Sequence, residues 1–245
     1  MSSAAPLTEL NLPHVWRGRE LAQAQDRTVA SGHAALDAQL PGGGWPLGCL
    51  VEVLQQHPHQ FAWQLLGPAL RERCQAQAGP IVLVSPPYLP FGPGLRGLDL
   101  RPEQLLCVQA DKQSSRLWAT EQALRCADVA AVLAWLPQAR SEDLRRLHLC
   151  AQQHERLLVA FRGVDARDHS SPARLRLLLE GAQQLEVRIL KRRGPPLLQP
   201  LLLRGQPARL EALLAARKAR RSFPQPFSLP TAGSHVLDRT ATFAG

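Results

Sequence analysis

The 245-residue chain has a single methionine, a single tyrosine and three lysines, and aromatic side chains make up 5% of it. So few stacking residues exclude an RNP-like platform for reading nucleic-acid bases. No apolar run approaches the roughly 18 residues that a bilayer-crossing helix needs; those near Val51 and Leu201 are far shorter. Residues 1–12 lack the basic, apolar and small-residue succession of a secretory leader. A cytoplasmic protein without membrane contact is the expectation. The cysteines, at positions 49, 74, 107, 126 and 150, form no CxxC pair and have no histidine at metal-ligand spacing. They read as buried, reduced thiols, and no metal site is expected.

What is present is a core and a positive charge. Hydrophobic residues are 45% of the chain and charged ones 20%, enough to fold. Lys plus Arg exceed Asp plus Glu by 29 to 20, a net charge of +9 carried almost wholly by arginine. That balance favours an anionic partner, nucleic acid or an acidic protein surface.

Apolar runs of strand length alternate with helical patterns. Strands are expected at 49–54, 81–85, 105–109, 129–136 and 157–161. Helices are expected at 61–77, from an N-cap at Ser114 to about 127, and from an N-cap at Ser141, where Glu142 and Asp143 suit the positive end of the helix dipole. A shorter helical turn, with Ser31 as its expected N-cap, stops at Pro41-Gly42-Gly43-Gly44. Near-continuous apolar strands between helices argue an α/β fold with a mostly parallel sheet covered on both faces. After Pro172, Leu175, Leu177 and Leu179 alternate with Arg174 and Arg176, the pattern of a strand with one wet face. Segments 185–191 and 201–204 continue in that style, so a few mostly antiparallel strands extend the core. Four regions follow: an N-terminal helical extension (1–30, helix at 15–25), the core (31–205), a basic helix (206–221) and a disordered tail (222–245).

Ser31-Gly32, Leu36-Asp37, the block from Leu40 to Pro46 that contains the triple glycine, and Gly48-Cys49-Leu50-Val51-Glu52-Val53 resemble the start of the ATPase core of RecA-like recombinases. In that fold a Gly-rich turn leads into the first core strand, which ends at the phosphate-binding loop. The chain is more similar to a RecA-related family, the translesion-DNA-synthesis-associated ImuA proteins. That similarity lies in His14-Val15-Trp16-Arg17-Gly18, PGGGWP at 41–46, Glu121-Gln122-Ala123-Leu124-Arg125, Ala131 to Leu136, and Leu190-Lys191-Arg192-Arg193-Gly194-Pro195, and it covers residues 10–205.

Against the RecA-like frame the nucleotide parts are missing. A phosphate loop needs glycines, a lysine for the β/γ-phosphates and a hydroxyl for magnesium. The segment from Gln55 holds Gln60 where a glycine belongs, Phe61 for the lysine and Ala62 for the hydroxyl, and Pro58 removes an N–H donor. The magnesium carboxylate would fall near Ala134 or Trp135, and the water-activating one near Ser85 or Pro86. With no group to stabilise transferring phosphoryl charge, neither catalysis nor a cofactor is expected. His57 and His59 read as solvated loop residues, and Asp165, Asp168 and His169 as a polar loop.

Binding surfaces remain. The candidates are Arg145 and Arg146 beside a helical apolar stripe, Lys191-Arg192-Arg193 at a strand end, and Arg217, Lys218, Arg220 and Arg221 near the tail. Trp45 reads either as core or as a partner anchor. The resemblance to ImuA implies a non-catalytic accessory of SOS-induced translesion synthesis. It would bind a Y-family polymerase-like partner and an alternative replicative polymerase, with RecA and DNA as further candidates. Two alternatives stand beside it: a SulA-like division inhibitor acting on FtsZ, and a single-stranded DNA-binding module.

Overall fold

Apolar segments pair side by side in the computed structural model, which describes residues 27–58, 61–77, 79–181 and 184–203. The expected helices at 15–25 and 206–221, the tail, His59 and Gln60 lie outside the described residues. Six strands run parallel: β3 (Cys49–Gln55), β4 (Ile81–Val84), β5 (Leu105–Val108), β6 (Ala131–Trp135), β7 (Leu157–Gly163) and β8 (Leu175–Glu180). Strand β9 (Leu185–Lys191) adds antiparallel to β8 and β10 (Leu201–Leu203) antiparallel to β9, giving the eight-strand order β10-β9-β8-β3-β7-β6-β4-β5. A separate antiparallel pair joins β1 (Thr28–Val29) to β2 (Trp45–Pro46). The fold is α/β with a mostly parallel sheet.

Every residue of β3 is buried, because its two faces meet two different layers. Val51 and Val53 face one side with α1 (Ala34–Asp37), α2 (Ala62–Ala76) and α3 (Gly92–Arg96), which contribute Leu36, Leu65, Leu66 and Leu95. Leu50 faces the other, under α4 (Gln113–Arg125) and α5 (Ser141–His154), which contribute Leu117, Leu124, Leu144 and Leu147. Strand β8 corrects the sequence reading on two counts. It pairs parallel to β3, and it is buried on both faces. Arg176 is inside the protein, not on a wet face.

Three caps also fall elsewhere than expected. Helix α1 is capped at His33, α4 at Lys112 and α5 at Arg140, whose N–H donates to Asp143 Oδ2 at 3.0 Å. Ser31 is used one step earlier: its Oγ accepts the His33 N–H at 3.1 Å, and its own N–H donates to Asp37 Oδ1 at 2.8 Å. The reason lies in α2. Pro68, inside that helix, has no N–H to give to the Gln64 carbonyl. His33 Nε2–H donates to that oxygen instead, at 3.0 Å. Gly32, at φ +77°, lies so close that a Cβ there would sit 2.2 Å from the Pro68 ring.

One carboxylate sits in the middle of the sheet. Glu52, with no exposed surface, receives Arg162 Nη1 of β7 at 2.7 Å and Arg176 Nε of β8 at 2.5 Å. Spare guanidinium donors go to the carbonyls of Ala139 (2.8 Å), Ala166 (2.8 Å) and Arg167 (3.2 Å). Removing one member of such a network strands the others without compensation in low dielectric. Glu52→Ala is expected to lower the unfolding free energy by about 3–5 kcal/mol, read by urea denaturation; a loss below about 1 kcal/mol, the ceiling for a surface pair, would show that solvent screens the triad.

Candidate functional site

Open α/β sheets bind ligands outside the carboxyl ends of their strands. Here a cleft of about 420 Å³ lies at that edge, lined by side chains at the ends of β3 to β7, among them Gln55, Ser85, Gln109, Trp135, Phe161 and Arg162. Its floor is aromatic. Trp135 and Phe161 stack at 4.6 Å between centroids and 16° between planes. The Trp135 indole N–H donates to the Pro58 carbonyl at 3.3 Å, drawing the segment after β3 onto the end of β6. An aromatic side chain thus occupies the strand end where the RecA-like frame calls for a magnesium-positioning carboxylate.

The other expected positions are equally committed. Gln55 is buried at the end of β3. Phe61 caps α2 in the left-handed region, φ 56°, without a capping hydrogen bond, and packs part of its ring on the core. A left-handed non-glycine residue costs about 1–2 kcal/mol, and a cradle of converging N–H groups would place glycine there. Ala62 is buried as the first residue of the helix. Ser85 Oγ donates to the Ala110 carbonyl at 3.0 Å and accepts the Ala110 N–H at 3.1 Å, so its hydroxyl is spent on joining β4 to the chain beyond β5. Among the described residues no three His, Cys, Asp or Glu side chains converge as metal ligands, and no helix is long and apolar enough to cross a membrane. Asp165, Asp168 and His169 are exposed on a 3₁₀ turn.

The basic candidates separate into distinct places. Arg145 and Arg146 are exposed on α5, and Arg146 Nε meets Glu121 Oε2 at 3.3 Å. Lys191, Arg192 and Arg193 gather instead at the amino edge of the sheet, where Arg174 joins them around a pocket of about 390 Å³. Its apolar walls are Pro41, Pro46, Pro172 and Leu175. Arg217, Lys218, Arg220 and Arg221 lie outside the described residues. Trp45 has no exposed surface and belongs to the core, so of its two readings the partner anchor is the one corrected. Cys126 is another correction, since it is exposed where a buried thiol is expected. Burial raises the thiol pKa of Cys74, Cys107 and Cys150.

Sequence reasoning passed over an apolar loop beside the carboxyl-edge cleft. Tyr88, Leu89 and Phe91 are 69%, 73% and 74% exposed. Three large apolar side chains within four residues, bounded by prolines, are the available signal, because such a run rarely stays in water without a purpose.

No protein-family model matches this chain, and no curated protein sequence matches it either.

Two outcomes follow. Trp135→Phe keeps a ring on Phe161 but loses the bond to Pro58, and about 1 kcal/mol of stability should go with it, measured by urea denaturation. His148 supplies the second. Its Nδ1 accepts the Leu50 N–H at 3.1 Å, and burial first, then the charges of Arg174 and Lys191, lower its pKa. The folded protein therefore binds this proton less readily than the unfolded chain. The stabilisation is complete above the unfolded value, about 6.5, and is lost as pH falls through the lower folded value. His148→Gln, which retains an acceptor for Leu50, is expected to flatten the fall in stability below that pH; an unchanged slope would show that other groups set it.

Proposed function

We propose that this chain is a non-catalytic RecA-like scaffold, accessory to damage-induced translesion DNA synthesis, that works by holding polymerase-related partners. The observation that carries the non-catalytic part is the Trp135–Pro58 contact. The strand end where a nucleotide and its magnesium would be gripped holds an indole, with Phe61 and Ala62 in place of the lysine and hydroxyl. Phosphoryl transfer depends almost wholly on positioned charge, and these side chains supply none. Support for a partner-binding role comes from the exposed Tyr88–Phe91 loop and the basic pocket at the opposite edge. The translesion assignment rests on the resemblance of residues 10–205 to the ImuA proteins, whose partners would be a Y-family polymerase-like protein, an alternative replicative polymerase and RecA.

Two measurements test it together. Calorimetry of the full chain with magnesium and ATP is expected to give no saturable heat, and deletion of the gene should cut damage-induced mutagenesis. Tight magnesium-dependent binding with turnover overturns the scaffold reading. Filamentation of undamaged cells on expression, with mutagenesis unchanged by deletion, moves the assignment to a SulA-like division inhibitor.

A further inference from the structure

The pocket at the amino edge of the sheet has a composition that a solvated basic face does not need. Four cations, Arg174, Lys191, Arg192 and Arg193, share its lining with prolines and Leu175, and no carboxylate among the described residues lines it. Two of these cations are held in place by neutral oxygens. Lys191 Nζ donates to the Ser171 carbonyl at 2.9 Å. Arg192 Nε donates to the Pro195 carbonyl at 2.9 Å, and its Nη1 to the carbonyl and side-chain oxygens of Gln39. Carbonyls orient a cationic head without cancelling its charge, so Lys191 and Arg192 keep theirs at the pocket. On α5, burial first and then the charges of Arg174 and Lys191 oppose protonation of His148.

The apolar walls explain the glycine block. Pro41 and Pro46 close one side, and between them the chain turns through Gly42 and Gly43, at φ 76° and 75°. Gly44 follows in extended backbone, where a Cβ would lie 2.2 Å from the Val29 carbonyl oxygen. Only glycine lets the turn press this tightly on β1, and the turn places the two prolines at the pocket.

We propose that this pocket binds an acidic peptide segment of a partner protein, carboxylates on the four cations and an apolar side chain against the prolines and Leu175. The identity of the partner as a protein rests on the scaffold reading; the charge and shape of the ligand rest on the pocket alone. Single-stranded nucleic acid fits less well. Among the described residues no aromatic side chain lines the pocket to stack a base, and about 390 Å³ of half-apolar space suits one or two side chains better than a phosphate track.

The test uses the full chain, with a fluorescein-labelled hexapeptide of alternating aspartate and leucine, and a labelled oligothymidylate, in fluorescence polarisation. The peptide is expected to bind saturably. Arg174→Glu/Arg193→Glu should weaken it by about tenfold or more, since like charges then face the ligand. Arg217→Glu/Arg220→Glu, the same charge change near the tail, should leave it within about twofold. In the unaltered protein, saturation should raise the His148 imidazole pKa in NMR titration, a readout that does not depend on a variant folding. Four results overturn the proposal: no saturable peptide binding, an unmoved His148, loss of binding only in the tail variant, or oligothymidylate binding more tightly and losing affinity in the pocket variant. ATP turnover in the same preparation would end the scaffold reading yet leave the pocket to be judged by the peptide, whereas a silent peptide beside silent ATP would end the pocket alone.

Discussion

A charge cannot be left alone inside a sheet, and that constraint organises this protein. Glu52 lies in β3, between β7 and β8, and each neighbour supplies one arginine to it. The two guanidinium groups reach past the carboxylate to the Ala139, Ala166 and Arg167 carbonyls. The triad thus ties three strands and two loops into one unit. A slip of one residue in any of the three strands would turn its charged member to the opposite face, among leucines and valines, so the register is fixed more firmly than apolar packing alone would fix it. Arg162 also lines the carboxyl-edge cleft, which couples the shape of that cleft to the core.

The two ends of the sheet have become different surfaces. At the carboxyl end, where the fold class places ligands, the stacked Trp135 and Phe161 rings and the Pro58 carbonyl take up the strand ends with the protein's own groups. At the amino end, the antiparallel return of β9 brings Lys191, Arg192 and Arg193 to the start of β8 and so beside Arg174. A chain built only of parallel strands would have delivered that basic run to the other edge.

Much of the architecture was legible along the chain. Strands 49–54, 81–85, 105–109, 129–136 and 157–161 each match an observed strand within a few residues, because buried parallel strands leave unbroken apolar runs. Arg174 and Arg176 show where that logic fails. Their alternation with leucine is the same for a wet face as for a dry one that carries its counter-ion, and Arg174 is exposed while Arg176 is not. The signal that could have separated them was Glu52, a lone acid in an apolar run that had to find a cation. Caps failed for a related reason. Ser31 has the chemistry of a helix cap, but Pro68, more than thirty residues away in sequence, drew His33 to its orphaned carbonyl and set the helix start there.

Sequence alone determined the α/β alternation and the positive charge, since each of these is a matter of which residues are present and in what order. Only the folded chain decided which side chains line the carboxyl-edge cleft, that Trp45 is core, and that Arg174 meets the 191–193 run in one pocket. Contacts such as Trp135 to Pro58 and Arg162 to Glu52 join residues 77 and 110 positions apart. Strand order brings those residues together, and no local periodicity encodes it.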